Sequence, residues 1–339
     1  MPTRRRGILI TNLGTPAAPT RGAVKEYLEE FLMDPYVITL PGPLRYLLVK
    51  AIAKRRSVQS AKAYAQIWTS SGGPLRDHAE SLAQCVRAST SLFVAVGMRY
   101  GKPSFEDAYR ILKPACDEIL VISAYPQYAD STYKSTVERL KDVFSDTRTF
   151  ITRPYFEDPA FADAHATLLK AHIAIDVDHL LLSFHGVPEL HIRKADLSRD
   201  HCLKGDDCCE IPHPTQSTCY RYQCLRTAAL LSDAVAVPTT VAFQSRLGPA
   251  SWLKPYTVDK VRELAEGGVR NLAVACPSFI SDNIETLYEI GFEVRHAFRE
   301  AGGQRLDVVP CLNESQKWVD LVIKWALEDG DNHVLLNDS

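Results

Sequence analysis

A histidine closes a short apolar run, Leu180-Leu181-Leu182-Ser183-Phe184-His185, and Gly186-Val187-Pro188 turns the chain directly after it. A neutral imidazole can accept a proton or bind a metal near neutral pH. The plainer reading is a strand-end histidine that caps a turn. Further along, Ser281-Asp282-Asn283-Ile284-Glu285-Thr286-Leu287-Tyr288-Glu289 opens a helix. Spaced by three and four, Asp282, Glu285 and Glu289 share one face of it. Such a row can hold a cation or carry protons. Asp282 and Glu285 also have the spacing of a capping pair, and acids favour a first helical turn; Glu289 is not needed for capping, which tilts the row towards function. Cysteine supplies the third group: Cys202, Cys208, Cys209, Cys219 and Cys224, five of the nine in the chain, fall within 23 positions.

Clustered cysteines in a reducing compartment point to metal rather than disulfides. Four thiolates suit a [2Fe–2S] cluster or a structural zinc, and the neighbouring His201 and His213 keep zinc open. The plainer reading is a loop of free thiols. The loop is expected to precede a helix starting near Tyr220, and nothing in the sequence connects it with His185. Cys85, Cys116, Cys276 and Cys311 read as ordinary buried thiols.

The elements that must position these groups form a βα series. Strands are expected at 7–13, 92–98, 118–124 and 149–152, then at 179–184, 238–243, 271–276 and 307–309. Helix-like sequence separates them, the pattern of parallel sheets. Two sets of four strands predict an α/β protein of two doubly wound domains, 1–152 and 153–313, the second carrying the cysteine-rich insertion 202–224. The last helix, 314–328, is expected to pack back on the first domain, and the polar tail 329–339 to be loose. A histidine at the carboxyl end of a strand in such a sheet lies where ligands bind. Gln244, Ser245 and Arg246 follow another strand end, and Trp252 beyond them offers a flat wall for a planar acidic ligand or, more plainly, a core side chain. Thr69-Ser70-Ser71-Gly72-Gly73 lets a backbone approach a ligand, but no Gly-Lys-Ser/Thr follows to make it a phosphate loop.

Composition narrows the partners. A formal net charge of −2 over 339 residues leaves no global basic field for nucleic acid. No apolar run approaches the roughly eighteen residues of a membrane span. The start lacks the pattern of a secretory signal, so the bacterial cytoplasm is the expected compartment. Residues 44–56 mix leucines with Arg45, Lys50, Lys54, Arg55 and Arg56. A basic amphipathic helix of this kind can make a peripheral contact at the inner membrane face; an ordinary core-facing helix is the favoured reading. Oligomeric state is not specified by any pattern.

Leu182-Ser183-Phe184-His185-Gly186-Val187-Pro188 resembles the signature of ferrochelatases, the enzymes that insert ferrous iron into a porphyrin. The likeness runs nearly end to end, through Thr11-Asn12-Leu13-Gly14-Thr15-Pro16, Ile67-Trp68-Thr69-Ser70-Ser71-Gly72-Gly73-Pro74-Leu75, Tyr125-Pro126-Gln127-Tyr128, Phe243-Gln244-Ser245-Arg246-Leu247-Gly248-Pro249 and the 281–289 stretch. The resemblance implies two Rossmann-like, chelatase-type domains with the active cleft between them. It implies that His185 and Glu285 bind iron or move protons, and that Glu289 and Asp282 continue an acidic path. Some members carry a histidine where this chain has Asn283, which cannot relay a proton. Aromatic and aliphatic lips would grip the ring, with Leu32, Met33, Ile38, Leu40, Tyr46 and Trp68 as candidates; Ser70 and Tyr128 join Met33, Ile38 and Trp68 as substrate-binding expectations. Protoporphyrin IX is favoured over coproporphyrin III. Some bacterial ferrochelatases carry a [2Fe–2S] cluster, and this insertion looks like that version, with Cys202, Cys209, Cys219 and Cys224 as ligands and Cys208 as the alternative to Cys209.

Overall fold

The computed structural model describes residues 5–246, 248, 250–328 and 330–337, so Leu247 and Pro249 of the 243–249 motif lie outside the described residues. The chain divides into two units. The first comprises Met1–Tyr125, Asp130–Tyr155 and Asn313–Ser339; the second comprises Pro126–Ala129 and Phe156–Leu312.

In the first unit, β1 (Arg6–Asn12), β2 (Phe93–Met98), β3 (Glu118–Ser123) and β4 (Arg148–Thr152) are parallel, in the order β2-β1-β3-β4. Helices α1 (Arg21–Leu32), α2 (Gly42–Ile67), α3 (Pro74–Ser89), α4 (Phe105–Leu112) and α5 (Ser135–Val143) connect them, the last entered through a π-helical turn, Asp130–Lys134. Apolar β1 and β3 are buried on both faces, as parallel strands between helix layers must be.

The second unit carries α6 (Pro159–His172), β5 (His179–His185), α7 (Glu189–Ala195), α8 (Tyr220–Ser232), β6 (Thr239–Gln244), α9 (Thr257–Glu266), β7 (Asn271–Ala275), a π-helix (Glu285–Val294), α10 (Arg295–Glu300) and β8 (Arg305–Val308). All four strands are parallel, in the order β6-β5-β7-β8. Alternation along β5 sends Leu180, Leu182 and Phe184 into one apolar cluster with Cys224, Ala228 and Leu231 of α8. Leu181 goes into the opposite cluster with Val261, Ala265, Val294 and Phe298. Odd parity therefore gives His185 the face covered by α9 and the π-helix. The chain goes from β5 out to β6 and then back to β7 on the other side, so the β5/β7 junction is a topological switch point, where ligands collect.

Two expectations are corrected. The tail is not loose: after α11 (Gln316–Leu327), residues His333–Asn337 form β9, antiparallel to β4, and make the first sheet five-stranded rather than four. The edge of β4 offers unpaired backbone groups, and Val334 and Leu335 supply enough β-forming character to use them. Leu32 is not a lip residue, being 2% exposed in the core of the first unit. On α2, Val49, Ala53, Ser57 and Tyr64 are buried, while Leu44, Tyr46, Leu47 and Leu48 lie exposed near its start. Among the described residues no helix is long and apolar enough to cross a membrane.

Candidate active site

β7 pairs with β5 only as far as Leu182↔Ala275. Beyond that point β5 is laddered on its β6 side alone, through Phe184↔Phe243, His185↔Gln244 and the Gly186 N–H to the Gln244 carbonyl at 2.7 Å. The backbone of His185 points to the open side. Its N–H donates to Ser278 Oγ at 3.0 Å, and its carbonyl accepts from the Tyr220 hydroxyl at 2.8 Å. Gly186 is required by close approach: a Cβ there would stand 2.8 Å from the Gln244 carbonyl oxygen and 3.4 Å from Trp252. Trp252 thus packs behind the histidine, the plainer of its two readings.

The imidazole is oriented as well. Nδ1 lies 2.6 Å from the Gly186 carbonyl, which can only accept, so Nδ1 carries the proton and Nε2 keeps its lone pair. The Phe279 ring meets it edge-on at 6.0 Å. Surrounding protein pushes the imidazole pKa down, partly offset by the Gly186 hydrogen bond. His185 is therefore neutral near pH 7, with one free basic nitrogen.

The acids follow the adjacent strand, β7. The helix they open is a π-helix rather than an α-helix, a form that favours functional sites. Its cap is neither Asp282 nor Glu285. Asn283 Oδ1 accepts from the backbone N–H groups of Glu285 and Thr286, at 3.0 and 3.1 Å. Asp282 stands before the helix, buried, accepting from Thr286 Oγ1 at 2.9 Å and more weakly from the Cys311 N–H. Asp282 thus precedes the helix, and it, Glu285 and Glu289 all lie within electrostatic reach of the buried Cys276 thiol. Burial and then the charge of Glu289 push the Glu285 carboxyl well above the usual range. Two close carboxylates resist being ionised together, so they share protons as a unit. Glu289 Oε2 accepts from Ser245 Oγ. Ser245 sits at φ 64°, left-handed backbone that a non-glycine residue rarely adopts; this contact ties the end of β6 to the π-helix.

The cysteine-rich loop is built on Asp196. Its carboxylate accepts from the N–H groups of Ser198, His201 and Cys202, which hold it far below the ordinary range against the cost of burial. The thiols then converge: Cys219 contacts Cys209 and Cys202, and Cys208 contacts Cys209. Arg221 Nη1 lies 3.5 Å from Cys208 Sγ and 3.6 Å from Cys209 Sγ. Hydrogen bonding from Cys219 and the Arg221 charge push the Cys209 thiol down, while the same pairing and burial push Cys219 up. Cys224, on α8, is fully buried. All nine cysteines are free thiols. Cys202, Cys219, Cys209 and Cys208 thus form one continuous run of thiols with Arg221 beside it, and an all-sulfur donor set of this kind suits a [2Fe–2S] cluster or a structural zinc.

The expected substrate residues fall in both units. In the first unit, Met33 ends α1 and Ile38 is half-buried; Trp68, half-buried, meets Tyr64 edge-on at 6.2 Å; Ser70 is exposed. The hydroxyls of Thr69 and Ser71 both turn to Asp77 Oδ2, an acid that disfavours phosphate. In the second unit the Tyr128 N–H donates to Gln223 Oε1 at 2.7 Å. Sequence reasoning missed the side chains that do the holding. Ser278 and Tyr220 clasp His185. In the first unit Asp34, 1% exposed, receives Arg99, Tyr100 and Ser135 and so fixes the 33–38 segment. Asp34-Pro35 and Arg99-Tyr100, each ending an element, were the available signal.

Two sheet units flanked by helices, one with a histidine ending a strand and paired carboxylates following the adjacent strand, define a chelatase-type α/β protein. The fold is similar to that of "SirB from Bacillus subtilis with Fe3+" (TM-score 0.51, 11% identity, 94% of this chain and 93% of that one). It is equally similar to the sirohydrochlorin chelatase SirB from Bacillus subtilis subspecies spizizenii in complex with cobalt (TM-score 0.51, 10% identity, the same coverage). In sequence, the ferrochelatase family profile matches residues 5–329. The ferrochelatase of Pseudomonas fluorescens (strain Pf0-1) is 44% identical over 321 residues, 92% of this chain and 94% of that protein. That of Azotobacter vinelandii is 44% identical over 333 residues, 95% and 98% of the two. The chain belongs to the ferrochelatase family.

Proposed function

We propose that the enzyme inserts Fe²⁺ into protoporphyrin IX, with loss of two ring protons. The observation that carries this is the neutral His185, its Nε2 lone pair free, at the end of β5 while the Glu285/Glu289 pair follows the adjacent β7. Porphyrin metallation needs both kinds of group: a base for the pyrrole N–H protons, and hard oxygen donors for hydrated ferrous iron. His185 takes the ring proton at Nε2; Glu285 and Glu289 bind iron and pass protons on as a coupled pair. Apolar Met33, Ile38, Leu40 and Trp68 suit the vinyl edge of protoporphyrin better than the two further carboxylates of coproporphyrin. Purified protein, Fe²⁺ and each porphyrin, mixed without oxygen and followed by absorbance, test this. Rapid metalloporphyrin formation with protoporphyrin is expected; none with either ring would sink the assignment.

The cysteine-rich loop holds a [2Fe–2S] cluster on this reading, with Cys202, Cys209, Cys219 and Cys224 as ligands and Cys208 in place of Cys209 as the alternative. The gathering of these thiols in one loop and the Arg221 charge, which offsets that of the thiolates, support it. The cluster supplies a redox-active, rigidifying cross-link when bound. The exposed leucines of α2 beside Arg45, Lys50, Lys54, Arg55 and Arg56 support a peripheral contact of a cytoplasmic protein with an anionic bilayer.

A further inference from the structure

The cysteine-rich loop ends at Cys219, and the very next residue, Tyr220, begins α8. Tyr220 and Cys224 are i,i+4 neighbours on that helix, and the Tyr220 hydroxyl and the Cys224 thiol are close enough to shift each other's titration. The same hydroxyl donates to the His185 carbonyl. A buried tyrosine needs an acceptor somewhere, and a loop or helix carbonyl would have served. The acceptor it has is the carbonyl left unpaired where β7 stops, on the histidine that closes β5. Ser278 fills the matching N–H. Tyr220 and Ser278 thus replace the missing stretch of β7, and one of them is anchored in the cysteine-rich segment.

We infer that Tyr220 is a positioning residue that transmits the state of the cysteine-rich loop to His185, through the hydrogen bond from its hydroxyl to the His185 carbonyl. The inference rests on the role proposed for His185. Movement of Cys219 or Cys224, on gaining or losing the group they hold, shifts the first turn of α8. The hydroxyl then moves, and with it the strand end from which the imidazole projects. A device of this kind changes how well His185 meets the ring proton and leaves porphyrin affinity alone.

The test uses the full-length holoprotein with ¹⁵N-labelled histidine, before and after removal of bound iron by phenanthroline with dithionite. In the wild type, the His185 ring signals, assigned by their loss in His185→Ala, shift on iron removal. In Tyr220→Phe, which keeps the ring and loses only the hydroxyl, they are displaced from the start and do not respond. Its kcat falls about five- to tenfold with KM for the porphyrin within about twofold, as expected for one lost positioning hydrogen bond. Ser278→Ala removes the acceptor of the His185 N–H and keeps the Tyr220 hydroxyl with its bond to the His185 carbonyl, so it lowers kcat yet keeps the response to iron removal. A wild-type His185 signal that ignores iron removal overturns the inference, as does a Tyr220→Phe enzyme that behaves as wild type. Loss of the response in Ser278→Ala as well would overturn the assignment to Tyr220. Full turnover in His185→Ala would instead defeat the role given to His185, and leave the Tyr220-dependent shift to be read on its own.

Discussion

Glu289→Gln isolates the one electrostatic contact that sets the acid pair apart from ordinary helix carboxylates. The substitution keeps the shape of the side chain and an oxygen for Ser245 Oγ, and removes the negative charge that raises Glu285. Side chains four apart on a helix lie about 6 Å from each other. At an effective dielectric of about 20 to 40, suited to a half-buried residue, the repulsion is about 1.4–2.8 kcal/mol. That corresponds to about one to two pH units. The Glu285 midpoint, read by ¹³C NMR of the labelled carboxyl, is expected to fall by that amount, and the acid limb of kcat/KM for iron to move down with it. The linkage has a definite sign. Glu285 is raised in the folded state, so the native protein binds more protons than the unfolded chain between the ordinary Glu value of 4.5 and the raised one. Stability is therefore lost as pH rises through that window, and Glu289→Gln reduces the loss. A midpoint that stays put or rises would refute like-charge coupling and leave burial as the whole cause.

Three further outcomes follow from the same contacts. His185→Ala should abolish iron insertion while leaving the thermal midpoint within a few degrees, because the ring caps no core cluster; wild-type turnover would defeat its assignment as the base. Cys209→Ser should remove visible absorbance and bound iron and sulfide, whereas Cys208→Ser keeps them; the reverse result exchanges the two as ligands. Asp34→Ala strands Arg99 without its carboxylate, and urea denaturation should show about 3–5 kcal/mol of lost stability. A loss under about 1 kcal/mol would mean the pair behaves like a surface ion pair.

Much of the second unit was legible in the order of residues. Leu180 to Phe184 reads as a strand buried on both faces because no polar residue interrupts its apolar run except Ser183, and both clusters it feeds are present. A helix starting near Tyr220 was expected after the cysteine-rich loop, and α8 starts there, with Cys224 already inside it. The acid row was read in part. Its three acids all act on the Cys276 thiol, but Asn283 takes the cap that spacing offered to Asp282, and the helix starts after Asp282. The shift to π-helical bonding has no simple residue signature, since it trades one hydrogen-bond ladder for another using the same backbone. β9 was missed because five residues after a polar stretch gain stability only from an edge that the sequence does not reveal.

By itself the sequence determined which residues could act. An imidazole at the end of an apolar run, acids at the start of a helix and thiols packed into one loop are local facts, set by residue type and spacing. Tertiary structure alone decided which distant residues hold the imidazole in place. The strand order β6-β5-β7-β8 brings the end of β7 next to that of β5, and β7 stops short, leaving His185 with backbone groups that only Ser278 and Tyr220 reach. The physical reason is that a hydrogen bond between residues 35 or 93 positions apart depends on how sheets and helices pack, and no local pattern encodes that.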